Sequence, residues 1–368
     1  MADLSLPIPL TSPTWLQAMS ADTADSVDEI LRQALNSSAH RERWKYTKAA
    51  PILAVVAETA QAPIVEGTEQ PGIHVNQTPL TEPMAGFDLQ QAPEALARLC
   101  YAKQVIIIDV DQPTAQPIRL QHGQSTLPVL IRLKPNATLT LLESSENQSQ
   151  MQQTLWIDLG QNARLEHSRN AFNASESHWQ YLNVRLQQHA QYQLYNHVAG
   201  CTLRRQDVHL IMDGQGSEAS LSSAGRVGQQ AALDQQITVE HRQPGGRSNQ
   251  TIHNIVADGG KCTFNGRIHI HEGASGTDAQ LSNKNLGMGD HATINTKPEL
   301  EIYTDDVSCS HGATVGTLSQ EALFYLTSRG VAPEVAEALL SQGFLRQCIN
   351  GPMAEAALNA LVGASASS

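Results

Sequence analysis

Two side chains with metal-binding chemistry stand two residues apart in the stretch DDVSCSHGATVG: Cys309 and His311. On a β-strand alternate residues share a face, so Val307, Cys309, His311, Ala313 and Val315 would point the same way. Thiolate is a soft metal ligand, and imidazole binds zinc and iron. Two ligands fall short of the roughly four that a stable zinc site or cluster takes. The residues alone leave two readings open: half of a metal site, or a small buried thiol beside a hydrogen-bonded histidine. A Cys/His nucleophilic pair is disfavoured, because nothing marks a third member or an oxyanion hole. Asp305 and Asp306 precede the pair. They predict a negative local potential that favours a cation and disfavours a free thiolate.

His269 and His271 form a second same-face pair, with His291 further along. Glu272 is the carboxylate directly beside them in sequence, so a solvated face is expected rather than a metal site. The remaining cysteines, Cys100, Cys201, Cys262 and Cys348, are widely spaced and make no CxxC pair. They predict a reduced, cytosolic protein with inert structural thiols. The glycine turns Asp213–Ser217 (DGQGS) and Pro244–Ser248 (PGGRS) do not match a phosphate-binding loop and read as corners.

The elements that must position these groups show a repeat. Short alternating runs dominate residues 104–316. Their centres Ile131, Ile157, Val184, Leu210, Val239 and Ile268 are 26 to 29 residues apart. A second series, Ala137, Ala163, Ala190, Ala219, Ser248 and Thr277, keeps a similar period. A period of 20–50 residues means a solenoid, propeller or array. Two or three short strands per repeat, with no helical pattern, predict a parallel β-helix whose inward residues stack in one aliphatic column. The crossover rule for parallel strands makes it right-handed.

Composition agrees. Of 368 residues, 40% are apolar, 16% charged and only 4% aromatic, which suits a narrow core of Val, Ile, Leu and Ala. The net charge of −12 argues against sequence-independent nucleic-acid binding. The longest obvious apolar run, Val105–Ile108, is far too short to cross a membrane as a helix. The opening MADLSLPIPLTSPTW has no basic or continuously apolar stretch and predicts no signal peptide. Acids and aromatic platforms are sparse on the coils, which disfavours a carbohydrate-active β-helix enzyme.

Helical patterns flank the solenoid: Asp25–Ala50 and Pro93–Lys103 before it, then three helices from Ser319, Pro333 and Pro352. The expected organisation is an N-terminal helical and mixed region (1–103), a β-helix (104–316) and a C-terminal helical domain (317–368). Phe324, Tyr325 and Leu326 are consecutive and cannot all pack on one helix face, so at least one should be exposed as an interface anchor, with Arg329 nearby.

The stretches FNGRIHIHEGASGTDAQLSNKNL, KPELEIYTDDVSCSHGATVG and LFYLTSRGV strongly resemble the SufB/SufD family of iron–sulfur cluster assembly proteins. ERWKYT at Glu42–Thr47 looks like an N-terminal motif of its SufD branch. Where the SufB branch carries a Glu-containing sequence nearer HEAST, this chain has Gly312-Ala313-Thr314. The close match covers about residues 250–345. The resemblance implies a non-catalytic, cytoplasmic scaffold working with a SufB-like paralogue and a SufC-like ABC-type ATPase, with a homodimer also possible. It implies that Cys309 and His311 ligate iron or a nascent cluster transiently, at the interface with the paralogue, and that no cofactor is stably bound. It implies that the C-terminal helices dock the ATPase. The alternative from another class is a β-helix interaction module with no cluster role.

Overall fold

A computed structural model describes residues 42–45, 47, 62–79, 95, 102, 104–123, 127–145, 150–172 and 176–362. The helices expected over Asp25–Ala50 and Pro93–Lys103 lie almost wholly outside the described residues.

Two nine-stranded sheets make the body. Numbered along the chain, one sheet holds β1 (Ile64–Glu66), β4 (Ile118–His122), β6 (Thr138–Ser145), β8 (Arg164–Ala171) and β10 (Gln191–Ala199). It continues with β12 (Glu218–Val227), β14 (Arg247–Ala257), β16 (Thr277–Met288) and β18 (Val307–Gly316). The other runs β2 (Ile73–Pro79), β3 (Gln104–Val110), β5 (Val129–Leu133), β7 (Gln150–Leu159) and β9 (Ser177–Leu186). It ends with β11 (Arg204–Met212), β13 (Ala232–His241), β15 (Lys261–Ile270) and β17 (Thr293–Ile302). From β3 onward the chain alternates between the sheets, and every pairing within a sheet is parallel. That is a parallel β-solenoid with two strands per coil. β1 and β2 close its first coil by antiparallel pairing.

The predicted column is present. Ile131, Ile157, Val184, Leu210, Val239 and Ile268 are consecutive register partners, and all are buried. Each such side chain contributes roughly 1.5–3 kcal/mol by leaving water. The second series needs a correction. Ala219 pairs with Tyr192 and Ser248, and Ser248 with Ala279. Ala219 and Ser248 therefore sit two residues past the positions equivalent to Ala137, Ala163 and Ala190. Strand side chains alternate with period two, so a two-residue slip keeps the inside–outside pattern and leaves no trace in the sequence.

The coils turn on a shared left-handed corner. Asn136, Asn162 and His189 adopt φ of 65°, 58° and 55°, and Gly216, Gly245 and Gly276 continue the series at 65°, 69° and 69°. Each backbone N–H in this series donates to the coil that follows, from Asn136 to Gln161 O through Gly276 to Asp306 O. The first three residues tolerate the conformation because a short polar chain or ring can; beyond Gly216 only glycine is used. A Cβ on Gly216 would lie 2.6 Å from His189 Nδ1.

The interior is not uniformly aliphatic, as the sequence reading expected. Beside the column runs a lane of buried amides. Gln180 Nε2 donates to Gln153 Oε1 (3.0 Å), and Gln206 Nε2 to Gln180 Oε1 (2.8 Å). At the N-terminal end a fully buried carboxylate, Glu143, accepts from Arg169 and lies against His122 and His167. These polar residues were invisible as core because they occupy inward positions of otherwise regular alternation.

Three helices follow: α1 (Gln320–Thr327), α2 (Pro333–Arg346) and α3 (Ala354–Val362). Ser319 caps α1, accepting from Ala322 N at 3.2 Å. α2, α3 and the link between them pack Leu345, Cys348, Ile349, Ala357 and Leu361 on Ala224 and Ile255 of the solenoid wall. No helix among the described residues is long and apolar enough to cross a membrane.

Candidate functional site

β18 is the last strand of its sheet and pairs only with β16, while β17 ends the other sheet against β15. Neither contains a fully buried residue. Cys309 is opposite Ala279 and His311 opposite Leu281, so both occupy core-facing register positions of the terminal coil. No further coil among the described residues covers them. Cys309 packs half-buried on the edge of the core, and His311 is exposed. The open end also exposes Tyr303 (61%) and Val315 (56%). One sequence expectation is refined here. Burial, with Asp278 adding to it against a bond to the Ala279 backbone, pushes the Cys309 thiol up. The carboxylate that acts is on the preceding coil rather than in the Asp305-Asp306 pair. A thiol of this kind ligates once a cation offsets its desolvation.

Among the described residues, no group of three or more His, Cys, Asp and Glu side chains is arranged to hold a metal ion. Cys309 and His311 carry donor atoms, but no third His, Cys, Asp or Glu among the described residues completes a metal-binding group with them. Cys262 and Cys348 are buried, and burial pushes both thiols up to about 12. Cys201 is buried as well, and Cys100 lies outside the described residues.

The His269/His271 pair differs from the expectation. The rings lie 4.1 Å apart, but they are not simply solvated. His269 Nδ1 is 2.9 Å from Glu301 Oε2 on β17, and His271 Nε2 is 3.3 Å from Glu240 Oε2 on β13. Arg267 donates to both His269 and Glu301. The acids come from neighbouring coils, where register partners are about thirty residues away in sequence. That spacing is the signal that would have found them. His291 does not join the pair; its ring sits 3.2 Å from Asp258.

On α1 no residue is buried. Phe324 is 73% exposed and Tyr325 55%, while Leu326 is half-buried. Arg329 is exposed and places its guanidinium 4.4 Å over the Tyr325 ring. The structure adds two residues that sequence reasoning missed, Val335 and Leu339 on α2, both exposed. They add two exposed apolar side chains to the helical end.

The motif ERWKYT holds the N-terminal segment to the outer face of the second sheet. Arg43 Nη2 donates to Asp207 (2.9 Å), Thr47 donates to Asp234, and Trp44 is buried.

Comparison with known proteins places this geometry. The domain described as "SUF system FeS cluster assembly, SufBD core domain" matches residues 118–344. The chain is 34% identical over 207 residues to the iron-sulfur cluster assembly protein SufD of Escherichia coli, covering 52% of this chain and 49% of that protein. It is 31% identical over 211 residues to a SufBD family protein of Synechocystis, with 53% and 47% covered. A chloroplastic protein of Arabidopsis thaliana, ABCI7, is 31% identical over 194 residues, with 52% and 40% covered. The chain thus spans about half the length of these curated relatives or less. The core-domain match takes in well over half of the chain, β4 through most of α2, and on that ground this protein belongs to the SufB/SufD family of iron–sulfur cluster assembly.

Proposed function

We propose that this chain is a non-catalytic scaffold subunit of a cytoplasmic SUF complex, acting with a SufB-like paralogue and a SufC-like ABC-type ATPase. Its task is to help acquire iron and to ligate a nascent cluster transiently, as cargo, through Cys309 and His311. One observation carries this reading: the two donors share the core-facing side of a terminal strand whose outer edge no strand among the described residues pairs. A partner strand laid along β18 would extend the sheet and bring the missing ligands to the same place. A site divided between subunits is also labile, as a donor site must be. The exposed face of α1 and α2 is assigned to the ATPase, with Phe324, Tyr325, Leu326 and Arg329 as its centre.

The test is reconstitution of the assembled complex with iron and sulfide, with assembly checked by gel filtration. A Cys309→Ser/His311→Ala double variant should assemble yet hold little iron and sulfide. Normal content in that variant would end the ligand role.

A further inference from the structure

A cleft of 320 Å³ lies between the N-terminal segment and the outer face of the second sheet, away from the Cys309/His311 edge strand. Its floor is built from residues of β9, β11, β13, β15 and β17, and Glu42 and Arg43 form one wall. Its lining carries four carboxylates, Glu42, Asp207, Glu299 and Glu301, against three cations, Arg43, Arg267 and Lys297. Arg43 pairs with Asp207, Arg267 with Glu301, and Lys297 with both Glu42 and Glu299. The one acid in excess repels a simple anion and offers a simple amine only that single unmatched charge. An apolar ligand would leave this polar lining desolvated and unpaired.

Two further details point to what fits. Asn265 lines the floor, and its Oδ1 is buried with no hydrogen-bond partner. An orphaned buried acceptor costs stability unless a donor arrives. Arg267 engages Glu301 and His269 through Nε and Nη2, and Nη1 makes none of these bonds. That edge can take a carboxylate.

We propose that the cleft binds a small polar amino acid in its zwitterionic form. The carboxylate would lie toward Arg267, the ammonium toward Glu42 and Glu299, which share Lys297, and a side-chain N–H would satisfy Asn265. This site stands apart from the scaffold reading and does not depend on it.

The experiment is titration calorimetry of the full chain with L-glutamine as probe, with acetate and methylammonium as its two charged halves. A ligand of that size with a few polar contacts should bind with a dissociation constant of about 1 mM. Acetate and methylammonium should each be at least about tenfold weaker. Asn265→Ala should weaken L-glutamine by about tenfold, the usual effect of losing one buried hydrogen bond, with an unchanged unfolding midpoint. Arg267→Gln provides a second variant, expected to weaken binding at least as much. Absence of saturable heat with L-glutamine would overturn the proposal. So would acetate binding as tightly as L-glutamine, or both variants binding like the parent chain.

Discussion

The guanidinium of Arg205 lies 3.7 Å from the centre of the Trp44 ring, joining a residue of the N-terminal segment to the middle of the solenoid. Arg205 is fully buried. It donates two bonds to Asp207 (2.8 and 2.9 Å) and one to Asp234 (2.9 Å). Trp179 Nε1 also donates to Asp207 at 2.8 Å. A guanidinium buried between two carboxylates and an indole is satisfied on its edges and on a face. Arg205→Met should therefore destabilise the fold by about 3–5 kcal/mol, because Asp234 would be left buried without its cation and Asp207 with Arg43 alone. Urea denaturation gives the comparison, and a loss under 1 kcal/mol would contradict it.

The same network makes stability depend on acid. Burial raises the Asp207 carboxyl, but the Arg205 and Arg43 guanidiniums beside it outweigh that and hold it at about 2. Its value in the unfolded chain is about 3.9. A depressed folded-state value contributes stability that is present in full above the unfolded value and is lost as pH falls toward 2. Glu143 is held well below its ordinary value, against its burial, by Arg169, His122 and His167, and loses its contribution in the same direction. The unfolding midpoint should fall steadily below about pH 4. An Asp207→Asn variant should show a shallower decline there than the parent.

Val184→Asp should be the most damaging single change in the column. Val184 is fully buried between Ile157 and Leu210, and an aspartate there would have no cation within the aliphatic stack. The expected cost is above about 4 kcal/mol, enough to leave the chain unfolded or aggregated. Circular dichroism and gel filtration decide it.

Of the two donors on β18, His311 should matter more. Its ring is exposed, whereas the Cys309 thiol is half-buried and must first lose a proton that burial helps it keep. On the proposed reading, His311→Ala should lower reconstituted cluster by about tenfold or more, and Cys309→Ser by less. Equal loss from both would mean that the thiol is as available as the imidazole.

The exposed helical face makes a binding prediction. Phe324→Ala with Tyr325→Ala should weaken association with the ABC-type ATPase by about a hundredfold, and Val335→Ala with Leu339→Ala by less, with no loss of stability. Surface plasmon resonance would measure both, and unaltered affinity in the first pair would move the docking site elsewhere.

The repeat was legible because the inward aliphatic residues recur at nearly the spacing of one coil, and the register confirms each of the six centres. The helices at the C-terminal end were legible from Ser319, Gly330 and Pro333, which act locally. The buried amide lane was not legible, because Gln153, Gln180, Gln206 and Gln235 look like surface residues until their coils are stacked. The acids beside His269 and His271 were hidden for the same reason: Glu240 and Glu301 are close only across coils. Cys309 and His311 were found from their two-residue spacing. Their position at an unpaired edge depends on where the solenoid stops, which no local pattern records.

The left-handed corner repeated from Asn136 to Gly276 turns the solenoid into a ruler. Six successive coils close at the same backbone conformation, and each advances by one strand spacing, about 4.8 Å. Removing one whole coil between equivalent corners, such as residues 217–245, would rejoin Gly216 to Gly246 without changing which side chains face inward. The chain would lose Asp234, which Thr47 and Arg205 engage, and Ala224, on which the C-terminal helices pack, yet the edge strand with Cys309 and His311 would move one step closer to the first coil. The number of coils therefore sets the separation between the two ends, and length becomes a property that can change in whole steps while the chemistry at the open end stays the same.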